Sequence, residues 1–75
     1  MINITTTDAQ VLISNGGSPA SGYPKNSITY TADTNRIYLQ LGRITLYSLP
    51  FSEVSVNGTT LTSSNYTTAM EALFI

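Results

Sequence analysis

Apolar and polar residues alternate along most of the chain, a pattern typical of half-buried β-strands. Ile2 and Ile4 alternate with polar neighbours, and the apolar run at 10–14 is a second candidate strand. The same period of two continues through 28–31 and 36–41. The pattern predicts a single small domain over the whole chain. Its predicted fold is mainly β: a small antiparallel sheet or sandwich of five to seven short strands.

Gly42 interrupts the longest alternating stretch and allows two interpretations. Leu41 and Gly42 can form the two-residue turn of a hairpin, which would place Leu39 opposite Ile44. Alternatively, Gly42 is a bulge in one long strand, because the apolar residues shift from odd to even positions across it. We favour the hairpin, since it creates apolar cross-strand pairs without a distant partner.

Asn57-Gly58 is the clearest turn signal in the sequence. Both residue types tolerate positive φ, which the tightest hairpin turns require. Residues 51–56 should form the strand before this turn, and the pairing should set Val54 opposite Leu61. The sequence therefore predicts a hairpin in the C-terminal half of the chain.

Beyond this hairpin the apolar spacing changes to three or four residues, which predicts one helix over 64–74. One of residues 63–65 can act as its N-cap. Alternatively, the helix begins at Thr68, with Thr68 and Glu71 as a capping box, but this would leave too short a helix. The helix is expected to pack on or beside the sheet.

The C-terminal residues Ala-Leu-Phe-Ile present a large apolar surface for so small a sheet to cover. We expect Leu73 and Phe74 to be buried at least partly against a neighbouring chain. The alternative is burial wholly within the chain's own core. The predicted oligomer or partner contact consists of Tyr66, Met70, Leu73, Phe74 and Ile75.

Residues 15–27 hold three glycines and two prolines, which oppose regular structure. We predict a long loop here. Loops of this length in small domains are usually functional or mobile. Tyr23 lies in the segment and is either a contact residue or a lid folded over its own core.

Composition excludes several classes of chemistry. The chain has no cysteine and no histidine, so disulfides, thiolate metal sites and histidine catalysis are absent. Three basic residues are too few for the phosphate contacts of a nucleic-acid binder. No stretch approaches the length of a membrane span. We therefore expect no enzyme activity, no metal or other cofactor, no nucleic-acid partner and no membrane partner.

Most of the polar residues are uncharged. Only 9% of the chain is charged, whereas it holds 12 Thr, 9 Ser and 6 Asn. Hydroxyls and amides are less costly to desolvate than charges, so this composition suits surfaces that become covered. A core of this size rarely supplies more than about 3–5 kcal/mol without a staple or a partner. We expect a homo-oligomer, specifically a trimer.

The segment LPFSEVSVNGTTLTSSNYTTAMEALF resembles a C-terminal module of small virion proteins in tailed phages of Bacteroidetes hosts, including crAss-like phages. The preceding LQLGRITLYSLP is similar to it as well, so the resemblance covers roughly residues 36–75. It implies a structural protein located in the virion, as a head decoration, fibre-base or tail component, with other virion proteins as partners and no catalytic residues. The matching residues are Phe51, Val54, Val56, Asn57, Gly58, Ala72, Leu73 and Phe74.

A second hypothesis is a small receptor- or carbohydrate-binding module. Such a module would stack sugars on surface tyrosines, and Tyr38 and Tyr47 could share the polar face of one hairpin. The tyrosines available for this role are Tyr23, Tyr30, Tyr38 and Tyr47. A virion component should be found at fixed stoichiometry in particles, whereas a receptor module should be a discrete species that binds glycan.

Overall fold

Two small sheets and one short helix make up the fold in a computed structural model that describes residues 1–74. A five-stranded sheet has the order β3-β2-β1-β7-β8, and a three-stranded sheet has the order β4-β5-β6. A 3-10 turn over Phe51–Glu53 joins the second sheet back to the first. The elements are β1 (Ile2–Thr6), β2 (Gln10–Asn15), β3 (Ser21–Pro24), β4 (Ile28–Ala32), β5 (Arg36–Leu41), β6 (Ile44–Pro50), β7 (Val54–Val56), β8 (Thr59–Thr60) and α1 (Tyr66–Ala72).

The predicted class, mainly β with one C-terminal helix, is confirmed. The described residues form eight strands, one more than the predicted five to seven, because β3 lies in a segment predicted to be a loop. One pairing also differs from an all-antiparallel sheet. β1 pairs antiparallel with β2 on one side and parallel with β7 on the other, with Ile2 opposite Val54 and Ile4 opposite Val56.

The loop predicted over 15–27 is wrong in part, because β3 lies inside it. β3 is an edge strand, and an edge position tolerates Gly and Pro since only one side of the strand must complete a ladder. Gly22 has a specific role there. A Cβ at this position would lie 2.9 Å from the Gln10 side-chain oxygen, so the missing side chain makes room for Gln10 to cross the strand.

The hairpin around Gly42 is confirmed, but its predicted register is wrong. The turn is Gly42-Arg43, with Gly42 at φ 61°, and Leu41 rather than Leu39 lies opposite Ile44. The register also shifts at Leu39, so a bulge follows the turn. The bulge moves the side chains of β6 beyond it by one position, which sets Tyr47 opposite Leu39. Ile44 lies before the bulge, directly after the turn, and is 63% exposed.

The Asn57-Gly58 hairpin is confirmed. Asn57 has φ 51° and Gly58 has φ 86°, so both occupy the left-handed region. The Leu61 amide donates to the Val54 carbonyl at 2.9 Å, in agreement with the predicted pairing. The strand predicted over 51–56 is shorter, because its first half forms the 3-10 turn.

The helix is also shorter than the predicted 64–74, because a polar turn precedes it. The Thr62 amide donates to Asn65 Oδ1 at 2.7 Å, and the Asn65 amide donates to Thr62 Oγ1 at 3.2 Å. This reciprocal pair has the pattern of a capping box. Asn65, one of the predicted N-caps, directly precedes the helix, although its side chain makes no cap hydrogen bond. Regular α-helix then runs over Tyr66–Ala72.

One hydrophobic core fills the space between the two sheets and the helix. The chain exposes 4448 Å², close to the roughly 4,500 Å² expected for a folded monomer of its mass. A single chain therefore reaches ordinary burial without a partner. The buried apolar residues are Ile2, Ile4, Val11, Ile13, Ile28, Ile37, Leu39, Phe51, Val54, Val56, Leu61, Met70 and Leu73.

Candidate assembly surface

The predicted contact on the C-terminal helix is wrong for two of its residues. Met70 and Leu73 are both 0% exposed in the single chain and belong to its own core. The reason is geometric: the helix packs against the core between the sheets, and the Leu73 carbonyl accepts a 3.3 Å hydrogen bond from Thr6 Oγ1. The core has more room for apolar side chains than the sequence suggested.

The aromatic residues of the predicted contact remain half-buried and are held by other rings. Tyr66 stacks on Phe51 with ring centroids 4.9 Å apart. Phe74 stacks on Tyr30 at 6.3 Å. Stacked pairs of this kind add about 0.5–1.5 kcal/mol beyond area burial. The main role of these stacked rings is therefore to hold the helix against the rest of the fold. The last residue of the predicted contact, Ile75, lies outside the described residues.

Tyr30 lies where the helix meets the three-stranded sheet, and its surroundings disfavour the phenolate. Burial is the main cause that raises its pKa above 10.0, and the nearby Glu71 carboxylate and Tyr66 add to the effect. Tyr30 is therefore a neutral phenol at physiological pH. Its contact with Phe74 is the packing of two uncharged rings.

The four tyrosines of the carbohydrate-binding hypothesis do not form one platform. Tyr23 pairs with Val11 and packs against the core, and Tyr47 lies opposite Leu39 and does the same. Tyr38 lies on the other face of the three-stranded sheet, so the expectation that it shares a polar face with Tyr47 is wrong. The bulge in β6 causes the difference, because it moves Tyr47 to the core side.

The outer face of the five-stranded sheet is the surface with the most distinctive chemistry. Since residues directly opposite each other share a face, the registers place these side chains away from the buried Ile2 and Ile4. The outer positions of β3 are Gly22 and Pro24, beside Gln10. We call this surface the uncharged face and define it by Asn3, Thr5, Leu12, Ser14, Ser55 and Thr60.

Hydrogen bonds between neighbouring strands order the centre of the uncharged face. Ser55 Oγ donates to Asn3 Oδ1 at 2.7 Å, and Ser14 Oγ donates to the Asn3 carbonyl at 3.3 Å. Ser55 is only 6% exposed although it points away from the core. The alternation around Asn3 could have placed it on this face from the sequence. The contact of Asn3 with Ser55 could not be predicted from the sequence, because the two residues are 52 positions apart in the chain.

The charged residues all lie elsewhere in the fold. Arg36 is on the outer side of the three-stranded sheet, where Nη1 donates to the Ser48 carbonyl at 2.8 Å. Arg43 is in the exposed turn after β5. The four carboxylates are dispersed over separate turns and the helix. The full set is Asp8, Lys25, Asp33, Arg36, Arg43, Glu53 and Glu71.

No cluster in the described part of the chain brings together three or more residues able to ligate a metal ion. Among the same residues, no helix has both the length and the apolar character needed to cross a bilayer. Comparison with known proteins gave no match: no family model, no curated protein and no solved structure is similar to this chain.

Proposed function

We propose that the protein is a structural subunit of a virion, which assembles as a homo-oligomer, a trimer, through the uncharged face and has other virion proteins as partners. The observation that carries the proposal is the composition of this face. Across four of the five strands it presents hydroxyls, the Asn3 amide and Leu12, and it holds none of the three basic and four acidic residues.

Desolvation favours such a face as an interface. Covering a charged side chain requires a matched partner, whereas a hydroxyl or amide needs only a hydrogen bond. The outermost strands of a five-stranded sheet are about 19 Å apart. The whole molecule measures 28 × 27 × 22 Å, so the uncharged face occupies most of one side.

The sequence resemblance supports a virion setting. Its matching residues determine the fold: Val54 and Val56 are in the core, Asn57 and Gly58 form the turn, and Leu73 anchors the helix. The resemblance therefore concerns the architecture of the C-terminal half. Four of the six residues that define the uncharged face lie on β1 and β2, outside the matching segment, and Ser55 and Thr60 lie inside it.

A glycan- or receptor-binding module is the second candidate, and one observation favours it. Tyr38 lies on the outer face of the three-stranded sheet between Thr31 and Ser48, with Arg36 on the same side. A ring flanked by hydroxyls can stack on a sugar. Titration with glycans separates the candidates: saturable binding that Tyr38→Ala abolishes favours the module.

The test of the structural proposal is the state of the purified protein and its presence in particles. Light scattering at micromolar concentration should show a trimer. Mass spectrometry of purified virions should find the chain at a fixed copy number that follows the symmetry of the particle. A monomer in solution that is also absent from particles would contradict the proposal.

A further inference from the structure

The chain contains two Asn-Gly steps, Asn15-Gly16 and Asn57-Gly58, and both asparagines are exposed. Asn-Gly is the dipeptide best suited to spontaneous deamidation, because glycine has no side chain to hinder attack by its own amide nitrogen. The two steps are held very differently by the fold. This structural difference governs the relative deamidation rates of the two asparagines. The inference concerns a chemical modification and goes beyond the proposed structural function.

The reaction needs only water. The glycine amide nitrogen loses its proton to solvent base and attacks the asparagine Cγ, forming a C–N bond, and the side-chain nitrogen leaves as ammonia. The resulting succinimide is hydrolysed by one water molecule at either carbonyl. The product is aspartate or isoaspartate, with one additional negative charge. Isoaspartate also lengthens the main chain by one methylene.

At the second step, strand β1 holds the backbone amides of both Asn57 and Gly58. The Asn57 amide donates to the Ile4 carbonyl at 2.9 Å. The Gly58 amide, which is the nucleophile, donates to Asn3 Oδ1 at 3.4 Å. That acceptor is itself fixed by the buried Ser55 at 2.7 Å. Attack therefore requires the hairpin to leave β1.

At the first step the glycine amide makes a hydrogen bond of similar length, and the difference lies in the exposure of its surroundings. The Gly16 amide donates to the Met1 carbonyl at 3.2 Å, and the Met1 side chain is 63% exposed. Every residue from 15 to 20 is exposed, so little packing resists local opening. We propose that Asn15 is the deamidation site of the folded protein and that the Asn3 side chain protects Asn57.

The experiment is an incubation of the folded protein in mildly alkaline buffer, followed by peptide mapping for aspartate and isoaspartate at both positions. Rates in denaturant give the intrinsic reactivity of each step and serve as the reference. After this normalisation, Asn15 should react about fivefold or more faster than Asn57 in the folded protein. Equal or reversed normalised rates would overturn the proposal.

Two variants test the role of Asn3 directly. Asn3→Ala should accelerate the reaction of Asn57 about fivefold relative to Asn15, which corresponds to about 1 kcal/mol for the lost hydrogen bond. Thr5→Ala, on the same strand and face, should leave the ratio unchanged. The ratio within one molecule separates local release from general unfolding, which accelerates both sites. An unchanged ratio in folded Asn3→Ala would contradict the assignment.

If Asn3→Ala does not fold, as judged by circular dichroism, Ser55→Ala provides the second variant. It frees the Asn3 side chain without removing it. A smaller but measurable acceleration at Asn57 alone is expected. No acceleration in the folded Ser55→Ala protein would also contradict the protective role of Asn3.

Discussion

Ser55 Oγ donates a 2.7 Å hydrogen bond to Asn3 Oδ1, joining side chains that are 52 positions apart in the sequence. The bond lies between β1 and β7, the one parallel pair in the described sheets. Asn3 also accepts from the Gly58 amide, so one side chain connects the first strand to the C-terminal hairpin. This contact orders the centre of the uncharged face.

Removing the Ser55 hydroxyl should weaken this connection. We expect Ser55→Ala to lower the free energy of unfolding by about 1 kcal/mol, because Asn3 loses its shortest hydrogen bond but keeps the Gly58 amide. Ser52→Ala, at an exposed position, should have almost no effect. Urea unfolding followed by circular dichroism measures both. Equal stability of the two variants would show that the bond contributes nothing.

The Asn57-Gly58 turn should discriminate between substitutions by backbone conformation alone. A Cβ at Gly58 would meet no atom within 4 Å, so the only penalty arises from φ 86°. Gly58→Val should cost more than about 1 kcal/mol, and Gly58→Asn much less. Gly17→Val is the matched control, since Gly17 has equal space and no positive φ. A loss of stability in the control as large as in Gly58→Val would reject this explanation.

Met70 should behave as a core residue and not as a contact residue. It is 0% exposed, so Met70→Ala should destabilise the chain by about 2–5 kcal/mol, whereas Met70→Leu should cost less than about 1.5 kcal/mol. Thr67→Ala, on the exposed side of the helix, is the control. Thermal melts report all three. If Met70→Ala impaired association but not folding, the contact first predicted for this residue would be right.

Stability should fall at alkaline pH because of Tyr30. Its folded pKa is raised above 10.0, so the unfolded chain loses this proton first. The contribution of Tyr30 is therefore fully present below pH 10 and is lost as the pH rises through the folded pKa. Tyr30→Phe should flatten this decline, and Tyr38→Phe should not. Denaturation midpoints across the alkaline range test this, and identical declines in both variants would exclude Tyr30.

Local patterns in the sequence predicted the local elements well. Alternation placed most strands, and Asn57-Gly58 defined its hairpin, because neighbouring residues determine these features. The sequence could not reveal the parallel pairing of β1 with β7, which depends on residues half a chain apart. Alternation around Gly42 could not reveal that a turn and a bulge occur together, since either one alone restores the parity of the pattern.

The candidate site shows the same division. Sequence spacing correctly grouped Met70 and Leu73 on one helix face, but it could not decide which surface covers that face. The single-chain core covers it, and the surface that we propose for assembly is polar. The sequence does not reveal the contact between Asn3 and Ser55, because isolated polar residues in alternating strands usually face water.

The most direct test of assembly through the uncharged face is light scattering of Thr5→Lys beside Thr31→Lys. Thr5 is half-buried on the uncharged face, and Thr31 is exposed on the outer face of the other sheet. Both variants should keep a strand-rich circular dichroism spectrum. We expect Thr5→Lys to be a monomer, because each copy would place a lysine in the interface, and Thr31→Lys to form the same trimer as the unmodified protein. Retention of the trimer by folded Thr5→Lys would contradict assembly through this face.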